Sequence, residues 1–281
     1  MRKITINLGI IISLILSSAS IFAYENGSVS SRIKKLDQKI SVYNKDPTLL
    51  IKRGKLFLEI KLFEQAITDF HGAIEIDPTY SKGVYLLGTA YMKVDEFEKA
   101  KTVLSTYLNL KPRNILGLEA YAQTLLKLKD YAIAEKYYDQ AIAYSRTTSP
   151  EVYRERAQAQ ILIEPIPLRR LEKGLESGIR KHGPSMPFFE LLVDANIKAE
   201  NGSRALFWVD QMPEDIRIST VWLIKRAQIH EYQDDGLMAI QLYQQLLRKI
   251  DRLPREQQKT AEILDARRTS RKEIHRLKRQ F

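Results

Sequence analysis

Residues 46–112 read DPTLLIKRGKLFLEIKLFEQAITDFHGAIEIDPTYSKGVYLLGTAYMKVDEFEKAKTVLSTYLNLKP, and this stretch decides the fold. Its punctuation recurs every 34 residues: Gly54 and Gly88, Ala66 and Ala100, Pro78 and Pro112. Ala134 carries the interval one step further. A period of this length is the signature of a solenoid of helix pairs, in which no single pair can bury its own apolar side. Leu50, Gly54 and Phe57 share one helix face, and Ala66, Phe70 and Ala73 share the face of a second helix. The next period places Val84, Gly88 and Tyr91, then Ala100, Leu104 and Tyr107, at the same positions. A third places Leu118, Ala122 and Leu125, then Ala134, Tyr138 and Ala141. A helical glycine costs about 1 kcal/mol relative to alanine. Its use twice at one phase predicts a helix–helix contact with no room for a methyl, with Phe70 and Leu104 filling the volume beside it. Pro78 and Pro112 are expected to close the second helices.

Working outward, the residues before this stretch change character twice. Arg2 and Lys3 precede the apolar run LGIIISLIL of residues 8–16, followed by small residues and Ala23. This is the layout of a bacterial-type secretory signal peptide over 1–23, with cleavage after Ala23 or Ala19. Residues 4–23 are apolar enough to leave an uncleaved inner-membrane anchor as the alternative reading. Residues 24–46 form a polar linker and a capping helix, predicted over 29–44 from the spacing of Ile33, Leu36, Ile40 and Tyr43.

Toward the C-terminus the pattern blurs and then returns. Residues 47–146 hold the three clear repeats, and 147–216 read as degenerate helical repeats interrupted by Pro165, Pro167 and Pro187. A clear unit recurs over 217–251 through Leu223, Ala227, Ala239, Tyr243 and Leu246. The spacing fits one continuous array, and two helical modules meeting near 165–187 are the alternative. Residues 252–281 read as a basic C-terminal helix, in which Ile263, Ala266, Ile274 and Leu277 are placed to cover the last repeat. The segment 246–281 carries 12 Lys and Arg against 5 Asp and Glu, so much of the net charge of +11 sits at this end.

The repeat residues resemble the tetratricopeptide repeat family. The first period matches it through Leu50, Gly54, Phe57, Ala66, Phe70, Ala73 and Pro78, and the second through Gly88, Tyr91, Ala100 and Pro112. The third matches through Ala122, Ala134, Tyr138 and Ala141 but lacks a closing proline. Tyr107 stands where a small residue is usual. The resemblance implies an all-α, right-handed solenoid of antiparallel helix pairs whose first helices line a concave groove. On that basis the groove would present Ile51, Lys55 and Leu58, then Tyr85, Thr89 and Met92, then Glu119, Gln123 and Leu126. Apolar anchors mixed with polar groups suit a protein or peptide ligand. Glu119 and Gln123 disfavour the Lys, Asn and Arg cluster with which some members hold a terminal carboxylate.

The sequence offers little chemistry beyond recognition. It has no cysteine, which excludes disulfides and thiolate sites. The four histidines are scattered over different units, and no metalloprotease, phosphate-loop or nucleophile-elbow motif occurs. The reading is therefore a noncatalytic scaffold or adaptor of the bacterial cell envelope, with no cofactor and an envelope protein or peptide as partner. A regulatory or substrate-presenting subunit of an envelope enzyme, bound through 165–213, is the alternative, and an enzyme acting on an envelope polymer is the third reading. Arg267, Arg268, Arg271, Lys272, Arg276, Lys278 and Arg279 are the candidates for contact with an acidic partner or an anionic membrane. The export signal argues against nucleic acid.

Overall fold

The computed structural model describes residues 27–280, all of them helical or in connecting turns. The predicted signal segment lies outside the described residues. Two compact units meet in sequence between Arg146 and Thr147.

In the first unit, α1 covers 27–42. It is followed by α2 (Pro47–Glu59), α3 (Phe63–Ile76), α4 (Ser81–Lys93), α5 (Phe97–Leu110), α6 (Ile115–Lys127) and α7 (Tyr131–Tyr144). Consecutive helices pack as the antiparallel pairs α2–α3, α4–α5 and α6–α7, and each pair stacks on the next through α3–α4 and α5–α6. Local chemistry sets the helix starts. The Asp46 carboxylate accepts from the Thr48 amide at 2.8 Å, ahead of Pro47 in the first turn. Asn114 accepts from the Gly117 amide at 2.9 Å. Pro78 and Pro112 lie two residues beyond the ends of α3 and α5.

The expected glycine contacts are present. A Cβ on Gly54 would stand 2.5 Å from Phe70 Cε1, and one on Gly88 would stand 2.6 Å from Leu104 Cγ. Phe70 and Leu104 are fully buried, as are Ala122 and Tyr138 at the third phase. A second device repeats at the same interval without any glycine. Lys61, Asp95 and Lys129 are left-handed, with φ of 60°, 57° and 65°. After each, an amide reaches back to close the helix: Leu62 to the Phe57 carbonyl (2.8 Å), Glu96 to Tyr91 (3.0 Å) and Asp130 to Leu125 (2.9 Å). The same cap recurs in the second unit at Glu200 and Asp234.

Helix α1 ends two residues earlier than predicted. Val29 is buried and Ile33, Leu36 and Ile40 are half-buried, but Tyr43 falls past the helix end and is 64% exposed. Tyr43 therefore does not join the apolar face assigned to it from spacing.

The second unit contains α8 (Pro150–Ile161), α9 (Leu168–His182), α10 (Met186–Lys198), α11 (Gly202–Asp210), α12 (Glu214–Arg217), α13 (Thr220–Tyr232), α14 (Gly236–Asp251) and α15 (Ala261–Leu277). Its pairs are α8–α9, α10–α11 and α13–α14, with α15 packed on α14. The first helices of all six pairs start at 47, 81, 115, 150, 186 and 220, so the repeat interval persists through the irregular middle. Residues 252–260 are not part of the last helix: α14 ends at Asp251, and a turn and a 3-10 helix at Gln257–Lys259 precede α15. Ile263, Ala266, Ile274 and Leu277 of α15 pack against Leu246, Tyr243 and Ile250, closing the unit's apolar core.

Candidate protein-binding face

The first helices α2, α4 and α6 carry the residues that the repeat pattern singles out. Lys55 is exposed, and Leu58, Tyr85, Thr89, Met92, Glu119, Gln123 and Leu126 are half-buried, so each keeps accessible surface. Ile51 does not. It is 2% exposed and packs in a core with Phe70, Ala73 and Leu87. The reason lies one period away: Gly83 has no side chain, and the Ile51 Cδ1 methyl moves in to 3.3 Å from where a Cβ would be. Ile51 is thus a core residue and presents nothing to a ligand.

Tyr85 is the largest ring of the face. Its centroid is 5.2 Å from that of Tyr107, with the planes tilted by 47°. Partial burial raises the pKa of its hydroxyl, and Tyr107 and the negative charge of Glu119 raise it further. Helix α4 touches α6 directly, which brings the second row, with Tyr85, beside the third, with Glu119. Tyr107 is the residue that stands where the resemblance to tetratricopeptide repeats implies a small one. It fits because Gly117 at the start of α6 leaves the ring's place open: a Cβ there would clash with Cε1 and Cδ1 of Tyr107. Tyr107 supports Tyr85, and the Tyr107–Gly117 exchange of sizes was the signal in the sequence. Thr89 donates to the Leu86 carbonyl at 3.0 Å, and Glu119 and Gln123 are engaged within the chain.

The basic end of the chain is partly neutralised from within. Arg267 pairs with Asp251 at 3.0 Å, Arg268 with Asp265, and Lys272 with Glu273 at 3.8 Å. Arg276 contacts both Glu231 and Glu273, and Glu231 also accepts from the Tyr243 hydroxyl at 2.8 Å. Arg271, Lys278 and Arg279 are exposed and form no ion pair among the described residues. Three of the seven candidate cations thus face solvent without a carboxylate.

In the second unit the central ionic group is Glu172 of α9. Arg204 donates to both its oxygens, Nε to Oε1 and Nη2 to Oε2, each at 3.0 Å. Trp208 Nε1 donates at 2.8 Å and Asn196 Nδ2 at 3.0 Å. Arg204 also stacks over Phe207 and Trp208. Partial burial alone would raise the Glu172 pKa, but hydrogen bonds from Arg204, Trp208 and Asn196 outweigh it and hold the carboxyl below its ordinary value. The folded pKa is depressed, so the stabilisation is fully present above the unfolded value of about 4.3 and is lost as pH falls through the folded value. Acid unfolding followed by tryptophan fluorescence should therefore show a limb below about pH 4.5. Glu172→Gln should flatten that limb while lowering stability at neutral pH.

Among the described residues no group of three or more His, Asp or Glu side chains is gathered to hold a metal ion. His71 lies beside Glu75 and His230 beside Asp235, each as a single pair. No helix among the described residues is long and apolar enough to cross a membrane.

Comparison with known proteins agrees with this geometry. The tetratricopeptide repeat family models match residues 58–123 and 118–148, about a third of the chain. The solved structure of YrrB, described as a tetratricopeptide-repeat protein with an unusual peptide-binding site, superposes with a TM-score of 0.56 at 16% identity. That superposition covers 73% of this chain and 96% of YrrB. The fold is that of tetratricopeptide repeats. A tetratricopeptide repeat protein from Parabacteroides merdae extends the likeness to 92% of this chain and 96% of its own, with TM-score 0.54 and 13% identity. PilW, described as a type IV pilus biogenesis factor, gives 0.52 at 15% identity over 78% of this chain and 97% of PilW. In sequence, the yeast Small glutamine-rich tetratricopeptide repeat-containing protein 2 (Saccharomyces cerevisiae) is 28% identical over 47% of this chain. The Protein STIP1 homolog of Dictyostelium discoideum is 30% identical over 33%. The chain spans only 36% and 16% of the length of these two relatives.

Proposed function

We propose that this chain is a noncatalytic scaffold of the bacterial cell envelope that holds a protein or peptide on the face of α2, α4 and α6. The observation that carries the reading is the row left accessible after the helix pairs have packed. Leu58, Tyr85, Met92 and Leu126 supply apolar contact area there, and Lys55 supplies a charge. Tyr85 is held against Tyr107, so little side-chain freedom is lost when a ligand covers it. The peptide-binding site described for YrrB, which shares the fold, supports the same use of these repeats. The envelope assignment rests on the signal-like character of residues 1–23.

The test is capture of partners from an envelope extract by wild-type protein and by Tyr85→Ala. Loss of a buried interface aromatic costs on the order of tenfold or more in affinity. Bands retained by the wild type should fade with Tyr85→Ala and persist with Tyr85→Phe, while helicity stays the same. Equal retention by Tyr85→Ala would refute the face.

A further inference from the structure

The first unit carries a second recognition surface, at the junction of the capping helix with the first repeat. A cleft of about 470 Å³ lies between α1 and α2, lined by Arg32, Lys35 and Leu36 on one side and Lys52, Lys55, Leu56 and Glu59 on the other. Glu59 is the one carboxylate among these lining residues, and Asp46 at the start of α2 also acts on Lys52. Glu59 lies 3.8 Å from Arg32, and both side chains are about half exposed. Lys35, Lys52 and Lys55 form no ion pair among the described residues and stand open to solvent. By contrast, Asp37 of α1 and Asp69 of α3 are turned away and tied to Arg53. The cleft is therefore lined mainly by cations, and its apolar lining is the half-buried Leu36 with the edge of the largely buried Leu56.

We propose that this cleft binds an acidic polypeptide segment, with its carboxylates on Lys35, Lys52 and Lys55 and one apolar side chain on Leu36 and Leu56. The proposal rests on the reading of the first unit as a protein-binding surface and extends it beyond the Tyr85 row to a partner of stated charge. The lining residues of α2 run from 52 to 59, a rise of about 10 Å at 1.5 Å per residue. That length takes about three extended residues. Glu59 at one end opposes the uniform charge of a phosphate backbone but can accept from a peptide amide. The leucine lining likewise matches a side chain and offers nothing to a sugar-phosphate chain.

The experiment is fluorescence anisotropy of the full chain with a labelled, capped probe peptide that has Leu flanked by two Glu on each side. The probe should bind, more weakly as salt is raised, and roughly tenfold more weakly to a Lys35→Glu/Lys52→Glu variant. Its Leu→Ser version should also bind more weakly. Lys82→Glu, an exposed lysine of α4 outside the cleft, should leave affinity unchanged. Equal probe binding by Lys35→Glu/Lys52→Glu and wild type would overturn the proposal. So would phosphatidylglycerol vesicles or a single-stranded oligonucleotide binding at least as tightly with the same dependence on Lys35 and Lys52. The two readings fail separately. Envelope capture that ignores Tyr85→Ala removes the α2–α4–α6 face, whereas probe binding that ignores the charge reversal removes the cleft.

Discussion

Arg53→Ala should lower the stability of the first unit by roughly 3 kcal/mol, the low end of what removing one partner from a buried ion pair costs, because Asp69 is buried but the Arg53 side chain is 23% exposed. Arg53 grips Asp69 through a two-pronged contact, Nη2 to Oδ1 at 2.6 Å and Nε to Oδ2 at 2.9 Å. Asp69 is 3% exposed, so its charge is left without solvent once the guanidinium is gone. Hydrogen bonding to Asp69 raises the Arg53 pKa further above its already high value, so the guanidinium stays charged. The third prong, Nη1 to Asp37 at 2.7 Å, ties α2 to α1, but Asp37 is about half exposed. Asp37→Ala should therefore cost less than about 1 kcal/mol. Arg53→Lys lacks the fork and should fall between wild type and Arg53→Ala. Replacing both partners, as Arg53→Met with Asp69→Leu, should recover most of the loss. Urea unfolding followed by circular dichroism separates these four variants. A loss under about 1 kcal/mol in Arg53→Ala would show that the pair is not buried as described.

The second large effect belongs to Phe70. Phe70→Ala should cost about 3–5 kcal/mol, because the ring is fully buried and the surrounding helices relax only in part. The informative comparison is with the glycine beneath it. Gly54→Ala improves helix propensity by about 1 kcal/mol. It also drives a methyl to 2.5 Å from Phe70 Cε1, and overpacking of this kind costs about 1–3 kcal/mol. A net loss is expected at Gly54. It should be relieved in Gly54→Ala/Phe70→Leu, where the smaller side chain vacates the space. Gly72→Ala meets only the Leu50 Cδ1 methyl at 3.3 Å and should stay within about 1 kcal/mol of wild type. Thermal melts of the four variants check the order. Equal effects at Gly54 and Gly72 would mean that the repeat glycine is not there for packing.

Much of this architecture was legible because it depends on local periodicity. Gly54, Gly88, Phe70 and Leu104 announce the helix-pair contact by recurring at one phase, and Ile263, Ala266, Ile274 and Leu277 announce the cover of the last pair by their spacing. Features that depend on a neighbour were harder to read. Spacing put Ile51 on the ligand-facing side of α2, but Gly83 of the next pair opened a hole that it fills. Arg53 and Asp69 lie 16 residues apart and look like surface charges until α2 and α3 are folded together. The left-handed caps at Lys61, Asp95 and Lys129 carry no glycine, so composition could not mark them. The cationic α1–α2 cleft joins residues of two helices whose relation no periodicity specifies. The identity of a partner is encoded in the partner's complement of these surfaces.

On the proposed function, ligands meet the first helices and not the second. Photocrosslinking from single positions in the full chain tests this, with a photoreactive residue at the half-buried positions 85 or 92 on α4, or at the exposed positions 102 on α5 or 136 on α7. In an envelope extract, crosslinked adducts should form from 85 and 92 and not from 102 or 136. Adducts of equal yield from all four positions, or adducts from 102 and 136 alone, would contradict the account.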